Sequence, residues 1–263
     1  MKKIGFIGSG NMAEAIIGGM MKAGYLPEQI VASNRSEDKL LHLKDVYGIQ
    51  TVESNEEIAR LCHIVFLSIT PDKYPVVIDE IRDCIQDETI VILIGGGEGI
   101  AENEARFGRK VKLVKAMPNT PVLVGEGLTS LSFNSLINEE EQRQLVNLFN
   151  SIGKAEVIDE KLMDTASAVG GSSPAFMYMY IEALADAAVL YGMPREKAYN
   201  IAAQAALGAA KMVLETGEHP AKLKDEVCSP DGTTIQSVAS LEENGFRNAI
   251  LQAVRANMEK MGH

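Results

Sequence analysis

The run Asp225-Glu226-Val227-Cys228-Ser229-Pro230-Asp231-Gly232-Thr233-Thr234-Ile235 crowds small hydroxyl residues, a proline and a glycine ahead of what reads as a helix start. Such a run can present backbone amides to an anion. Ser229 or Asp231 could cap the helix. Thr233 and Thr234 would then stand in its first turn, where unpaired N–H groups and the helix dipole favour a carboxylate or phosphate. An ordinary capped helix start would read the same way, so the anion reading gains weight only from the rest of the chain.

A second anion-binding pattern opens the sequence. Lys3 to Ile7 reads as a buried strand, Gly8-Ser9-Gly10-Asn11-Met12-Ala13 follows, and an apolar helical stretch continues through Ile16, Ile17, Met20 and Met21. In this G-x-G-x-x-A pattern Gly8 permits the tight turn and Gly10 lets a pyrophosphate approach the backbone. Ala13 allows close helix–strand packing. The second strand, near Ile30 to Ser33, ends in Asn34-Arg35-Ser36 where an NAD-preferring site offers an acid to the ribose hydroxyls. A 2′-phosphate would be matched instead by the Arg35 guanidinium with Asn34 and Ser36, so NADPH is the expected cofactor and NADH a possible one. The alternative is that Arg35 is a solvated charge before a helix.

What positions these residues is an alternation of apolar runs at 63–69, 89–94 and 111–114 with helix-like segments, the signature of a doubly wound, mainly parallel sheet. Ligands of such sheets lie beyond the C-terminal strand ends. Here those ends are Thr70-Pro71, Gly95-Gly96-Gly97 and Met117-Pro118-Asn119-Thr120-Pro121, the expected walls of the cofactor site. After a last short strand at Ala155 to Ile158 the pattern becomes helical and rich in Ala and Met. The expected domains are therefore a Rossmann domain over 1–159 and an all-helical domain over 160–263. The segments Phe176 to Leu190 and Asn200 to Val213 are apolar or small nearly all round, which predicts a homodimer with interleaved helices over a monomeric bundle. Glu182 and Asp186 share one helix face and are expected to bond neighbouring helix ends or a subunit interface, not to catalyse. Gly170-Gly171-Ser172-Ser173-Pro174 reads as a loop that interrupts the helices, either another backbone-rich anion or cofactor contact or a plain interhelical turn.

A net charge of −11 disfavours nucleic acid or an anionic membrane surface, which need clustered Lys and Arg. No segment has the length and apolarity of a membrane span, and the N-terminus runs from a short basic start directly into a strand, so no targeting leader and a cytoplasmic protein are expected. Cys62, Cys84 and Cys228 form no CxxC pair, and His42, His63, His219 and His263 have no metal-ligand spacing, so neither a disulfide framework nor a metal site is expected.

Taken together, Gly5-Phe6-Ile7-Gly8-Ser9-Gly10-Asn11-Met12-Ala13, Ala116-Met117-Pro118-Asn119-Thr120-Pro121, Gly125-Glu126-Gly127, Ser172-Ser173-Pro174-Ala175-Phe176 and the run from Asp225 to Thr234 resemble, in order and over essentially the whole chain, the pyrroline-5-carboxylate reductase family. That resemblance implies NAD(P)H-dependent reduction of 1-pyrroline-5-carboxylate to L-proline, the last step of proline biosynthesis, by hydride transfer to a cyclic imine. It implies an obligate homodimer, open to assembly into a higher oligomer, with the imino acid at the subunit interface. The substrate carboxylate would be held by the amides of Gly232 and Thr233 and the Ser229 hydroxyl. Thr234 would bond the ring nitrogen and is the candidate catalytic residue. The expected cofactor contacts are Gly8, Gly10, Asn11, Met12, Asn34, Arg35, Asn55, Ser68, Thr70, Pro71, Gly95, Gly96 and Asn119, with Asn55 carried over from the family.

Departures from the family pattern fall on both sites. Thr70 stands where a Lys is usual, Gly95-Gly96-Gly97 where Ala-Ala-Gly is usual, and Gly170 to Pro174 where Ser-Gly-Ser-Gly-Pro is usual. Asp231 precedes Gly232 in place of a second glycine, and Ser237 replaces a smaller residue. Asp231 would place a negative charge beside a carboxylate site unless its side chain turned away to cap the helix. Two further readings therefore stand beside the reductase: a paralogue reducing another cyclic imino acid, and a non-catalytic NADP-binding regulatory module. A deazaflavin-partner oxidoreductase would share the N-terminal half but not the C-terminal run.

Overall fold

The apolar runs become strands buried on both faces. The computed structural model describes residues 3–263. In chain order its strands are β1 (Ile4–Ile7), β2 (Ile30–Ser33), β3 (Gln50–Val52), β4 (Ile64–Leu67), β5 (Ile90–Ile94), β6 (Lys112–Pro118), β7 (Gly127–Phe133) and β8 (Gly153–Val157). They form one sheet of order β3-β2-β1-β4-β5-β6-β7-β8. Neighbouring strands from β3 across to β6 are parallel, β6 and β7 antiparallel, and β7 and β8 parallel again. The first six strands thus have the 3-2-1-4-5-6 order of a Rossmann fold.

Alternate residues of each strand feed two separate cores. Phe6, Ala32, Phe66, Ile92 and Val114 face one side, against α1 (Asn11–Lys22), α2 (Glu37–Tyr47) and α6 (Glu139–Asn150). Ile7, Val31, Val65, Val91 and Leu113 face the other, against α3 (Asn55–Leu61), α4 (Tyr74–Ile81) and α5 (Ile100–Phe107). Phe6 stacks on Phe66 at 4.6 Å, and Phe149 meets Phe66 edge-on at 6.0 Å, so aromatic contact reaches from the middle of the sheet to α6. Buried Tyr74 donates its hydroxyl to the Ile94 carbonyl at 2.8 Å and lies 3.4 Å from the Leu67 carbonyl, tying the C-terminal ends of β4 and β5 together.

Two sequence expectations change. The Met117-Pro118 part of the expected loop lies inside β6, because antiparallel β7 extends the ladder to the pair Pro118–Thr129. The expected loop at Gly170 to Pro174 is almost wholly helical. α7 (Met163–Ala166) runs into a π-helical turn over Ser167–Gly171, and Ser173 begins α8 (Ser173–Leu190). Pro174 sits in the first turn of α8, where a missing N–H costs nothing. Gly170 is small because a Cβ there would stand 2.6 Å from Leu128, not because the chain turns.

The chain divides into two compact units, Met1–Gly171 and Ser172–His263. Segment 160–171 stays with the first unit: Glu160 Oε1 accepts the Ile100 N–H at 2.6 Å and the Gly170 carbonyl accepts the Asn119 amide at 2.9 Å. The second unit comprises α8, α9 (Arg195–Thr216), α10 (Pro220–Val227), α11 (Thr233–Glu243) and α12 (Phe246–Met261). Arg195, at the start of α9, pairs with Asp186 on α8 and lies over the Tyr199 ring at 5.5 Å, so Asp186 bonds a neighbouring helix end as its spacing suggested. In this unit Met179, Leu190, Leu214 and Leu251 are 68% exposed or more, far more apolar surface than a self-contained bundle leaves open. Among the described residues no helix is long and apolar enough to cross a membrane.

Candidate functional site

In the first unit the chain turns sharply between β1 and α1. Gly8 has φ +96°, and a Cβ there would stand 2.5 Å from the Ser68 carbonyl oxygen, so only glycine fits. The turn is bonded to both neighbouring strands: Gly8 N–H donates to the Ser33 carbonyl and Ser68 N–H to the Ile7 carbonyl, each at 2.9 Å. Gly10 is the N-cap of α1 and no side chain caps the helix. The first intrahelical bond of α1 here is Glu14 N–H to Gly10 carbonyl, leaving the N–H groups of Asn11, Met12 and Ala13 for an external acceptor.

Beside this helix end lies a cleft of about 280 Å³. It brings together Gly8, Gly10, Asn34, Arg35, Asn55, Ser68 and Thr70 from the expected set, and adds Ser9 and Lys73. Asn34 and Arg35 also border an adjoining cleft with Lys44. Asn55 is oriented from both sides, its Oδ1 accepting the Ser33 hydroxyl at 2.8 Å and its Nδ2 donating to Glu80 at 2.7 Å. Lys73 lies within 2.8 Å of Asp72, whose carboxyl it holds below the usual range chiefly through their hydrogen bond.

Three observations fit a dinucleotide in this cleft. The Ser9 and Ser68 hydroxyls are buried with no hydrogen-bond partner among the described residues, and both residues line it. Such orphaned groups are costly unless a ligand satisfies them. Gly10 is glycine although a Cβ there would meet nothing within 4 Å, so packing within the chain does not require it. A missing side chain at that point leaves the helix end open to close approach. Arg35 is exposed and carries no ion pair among the described residues, leaving its guanidinium free for a phosphate.

Other expected contacts fall elsewhere. Asn11 is exposed and borders a neighbouring groove with Ser9, Glu14 and His42, and the Met12 side chain packs on the core, so neither side chain lines the cleft. Pro71, Gly95 and Gly96 lie outside the lining, though Gly97 abuts Pro71. The Asn119 side chain departs from its expected role: Nδ2 donates to the Gly170 carbonyl and Oδ1 accepts the Leu128 N–H at 2.8 Å, so both ends of the amide are committed to holding backbone. Ser9 and Lys73 were not singled out from the sequence. Ser9 could have been found as the residue between the two glycines, and Lys73 as the cation one 3₁₀ turn after Thr70.

In the second unit the run after α10 folds as a turn closed by Gly232 N–H to the Ser229 carbonyl at 3.0 Å. The expected capping by Ser229 or Asp231 does not occur. Closure of the turn makes Gly232 itself the N-cap of α11, with no side-chain cap. Its N–H is spent on the turn, so the free donors are those of Thr233, Thr234 and Ile235. A Cβ on Gly232 would stand 2.3 Å from Ser229 Oγ, so glycine here lets the Ser229 hydroxyl lie against the helix start. Asp231 is the only described non-glycine residue with positive φ, at +58°, a conformation glycine adopts more easily and the reason a second glycine suits this position. Ser237 turns its hydroxyl back to the Thr233 carbonyl at 3.1 Å.

The strand order, glycine turn and orphaned hydroxyls define a dinucleotide-binding protein of the Rossmann class with a C-terminal helical unit. Residues 160–263 match the family model described as pyrroline-5-carboxylate reductase dimerisation, and residues 3–97 one described as NADP oxidoreductase, coenzyme F420-dependent. The chain is 48% identical over 260 residues to the pyrroline-5-carboxylate reductase of Escherichia coli K12, covering 98% of this chain and 97% of that one. To the Methanosarcina acetivorans enzyme of the same name it is 41% identical, covering 96% and 94%. The solved Plasmodium falciparum pyrroline carboxylate reductase with NADP bound superposes with a TM-score of 0.88 at 35% identity, over 98% of this chain and 96% of that one. The chain belongs to the pyrroline-5-carboxylate reductase family.

The two glycines of the phosphate turn should separate on substitution. Gly8→Ala should destabilise the protein by about 2–3 kcal/mol in urea unfolding, from backbone strain and overlap with Ser68. Gly10→Ala should cost about 1 kcal/mol or less yet weaken NADPH binding at least about tenfold in a fluorescence titration. Equal losses of stability would show that Gly10 is a packing glycine.

Proposed function

We propose that this chain reduces 1-pyrroline-5-carboxylate to L-proline with NADPH, and that the two sites described above carry the reaction. The observation that carries the cofactor assignment is the pair of orphaned hydroxyls, Ser9 and Ser68, beside the uncapped α1 start. The full-length identity to reductases supports the substrate. When bound, the nicotinamide supplies the hydride that the imine carbon accepts.

The chain's own part is binding and orientation. The free N–H groups of the α1 start hold the pyrophosphate, while Arg35 and Asn34 hold the 2′-phosphate. Asn55, fixed between Ser33 and Glu80, faces the adenosine ribose. In the helical unit the Thr233 N–H and the Ser229 hydroxyl hold the substrate carboxylate, and Gly232 contributes the space its Cβ would fill. Thr234 Oγ1, which has no partner among the described residues, bonds the ring nitrogen and keeps its proton in place as the carbon is reduced. An alcohol hydroxyl is a poor acid, so Thr234 is assigned as an orienting group: the nitrogen either carries its proton already, as the protonated imine, or takes it from water as the carbon accepts hydride.

The exposed apolar helices and the match to a dimerisation model support a homodimer. The domain division proposed is 1–159 and 160–263, with 160–171 the helical domain's leading segment resting on the sheet unit. Three free thiols fit a reducing, cytoplasmic setting.

The direct test is NADPH oxidation followed by absorbance with and without 1-pyrroline-5-carboxylate, with NADH in parallel and proline measured as product. Binding of NADPH without turnover would defeat the reductase assignment. Arg35→Ala should raise KM for NADPH by about tenfold or more and leave KM for NADH nearly unchanged; equal effects on both would remove Arg35 from the 2′-phosphate. Thr234→Ala should lower kcat by about one to two orders of magnitude while the NADPH dissociation constant stays at the wild-type value. Asp231→Gly, which removes a charge near the carboxylate and relaxes the positive φ, should lower KM for the imino acid about threefold. A KM that rises would mean that Asp231 takes part in binding.

A further inference from the structure

Lys115 is a charged residue in an apolar place. It lies on β6 among Leu113, Val114, Ala116 and Met117 and is 5% exposed. An ammonium so deep needs partners. Its Nζ donates to the Gly97 carbonyl at 3.3 Å and stands 4.0 Å from Glu160 Oε1. The same carboxylate oxygen accepts the N–H of Ile100, the first residue of α5.

These contacts converge on one segment, the glycines joining β5 to α5. The segment is fixed at three points: Gly95 N–H on the Ala116 carbonyl at 3.2 Å, the Gly97 carbonyl on Lys115, and Ile100 N–H on Glu160. Gly97 lies beside Pro71, so near that a Cβ added to Gly97 would stand 2.7 Å from the Pro71 Cβ. Pro71 begins the short turn Pro71–Lys73, and Thr70, just before it, and Lys73, its last residue, line the cofactor cleft. A continuous series of contacts therefore runs from Lys115 through Gly97 and Pro71 to the cleft wall, all within the first unit.

We propose that Lys115 and Glu160 are positioning residues for the reduction: they clamp the Gly95–Gly99 segment and, through Pro71, set the wall of the cofactor cleft, touching neither cofactor nor substrate. The proposal rests on reading that cleft as the NADPH site. A glycine-rich segment has no side chains to hold its own shape, and a wall displaced by about 1 Å costs binding and rate well beyond the energy of the lost contact.

The test uses the full-length protein with Lys115→Met, Glu160→Gln and Lys115→Arg. Lys115→Met should weaken NADPH and NADH binding alike, by about tenfold in fluorescence titration, because the segment lies away from the 2′-phosphate that Arg35 reads. Its kcat should fall while KM for the imino acid holds, and Lys115→Arg should recover wild-type binding within about twofold. Hydrogen exchange at the amides of residues 95–100 should quicken in Lys115→Met and Glu160→Gln. If Lys115→Met fails to fold, Glu160→Gln, at a half-exposed position, carries the same readouts. Wild-type dissociation constants and exchange in a variant that only melts earlier would overturn the proposal and leave a plain structural ion pair. Failure of the wild-type protein to bind either dinucleotide would instead overturn the reading of the cleft.

Discussion

The first unit depends on how close two backbones come at Gly8. There the end of β1 passes so near the Ser68 carbonyl that a single methyl group would not fit, and the turn bonds to β2 on one side and β4 on the other. Because the turn is fixed to its neighbours, α1 begins directly over the strand ends with its first N–H groups uncapped. The hydroxyls of Ser9 and Ser68 both line the cleft beside this helix end, and no group among the described residues satisfies them. The dinucleotide site is thus set by a steric requirement of the sheet, and its unmet polar groups follow from that geometry.

The second unit repeats the device in different material. A four-residue turn, not a strand end, leads into α11, and again a glycine N-cap leaves the helix start open. The strain is carried by Asp231 at a positive φ. Around it the helices bury mainly alanines, Ala185, Ala198 and Ala202, and leave long apolar side chains outside. Small residues let α8 and α9 approach closely, but they bury little surface, so the apolar exterior calls for a second chain.

Much of the fold was legible because parallel strands covered on both faces are near-continuous apolar runs, and 30–32 and 90–94 are such runs. β3 escaped notice because Gln50–Val52 is a short edge strand with one exposed polar residue. β7 escaped because Thr129, Ser130 and Ser132 read as surface although the sheet buries them. At the sites, residue types and local order were readable: the glycine turn, Asn34 with Arg35, and the hydroxyl-rich run all stand where local sequence placed them. What local sequence does not carry is partnership over distance. The Asn119 amide is consumed by Gly170 and Leu128, the Gly232 N–H by Ser229, and Lys115 looks like any surface lysine until β6 is covered.

The placement of β1 also bears on the order in which the molecule can assemble. β1 lies inside the sheet, pairing with β2 and with β4, yet it precedes every other strand of that sheet in chain order. It cannot complete its ladder until Leu67 has been made, and the Gly8 turn gains its second anchor only with Ser68. From then on each strand through β6 adds to an existing edge, so the slow, long-range closure is met early. The nucleotide-binding half is expected to take shape on the ribosome while the helices that seek a partner are still unmade.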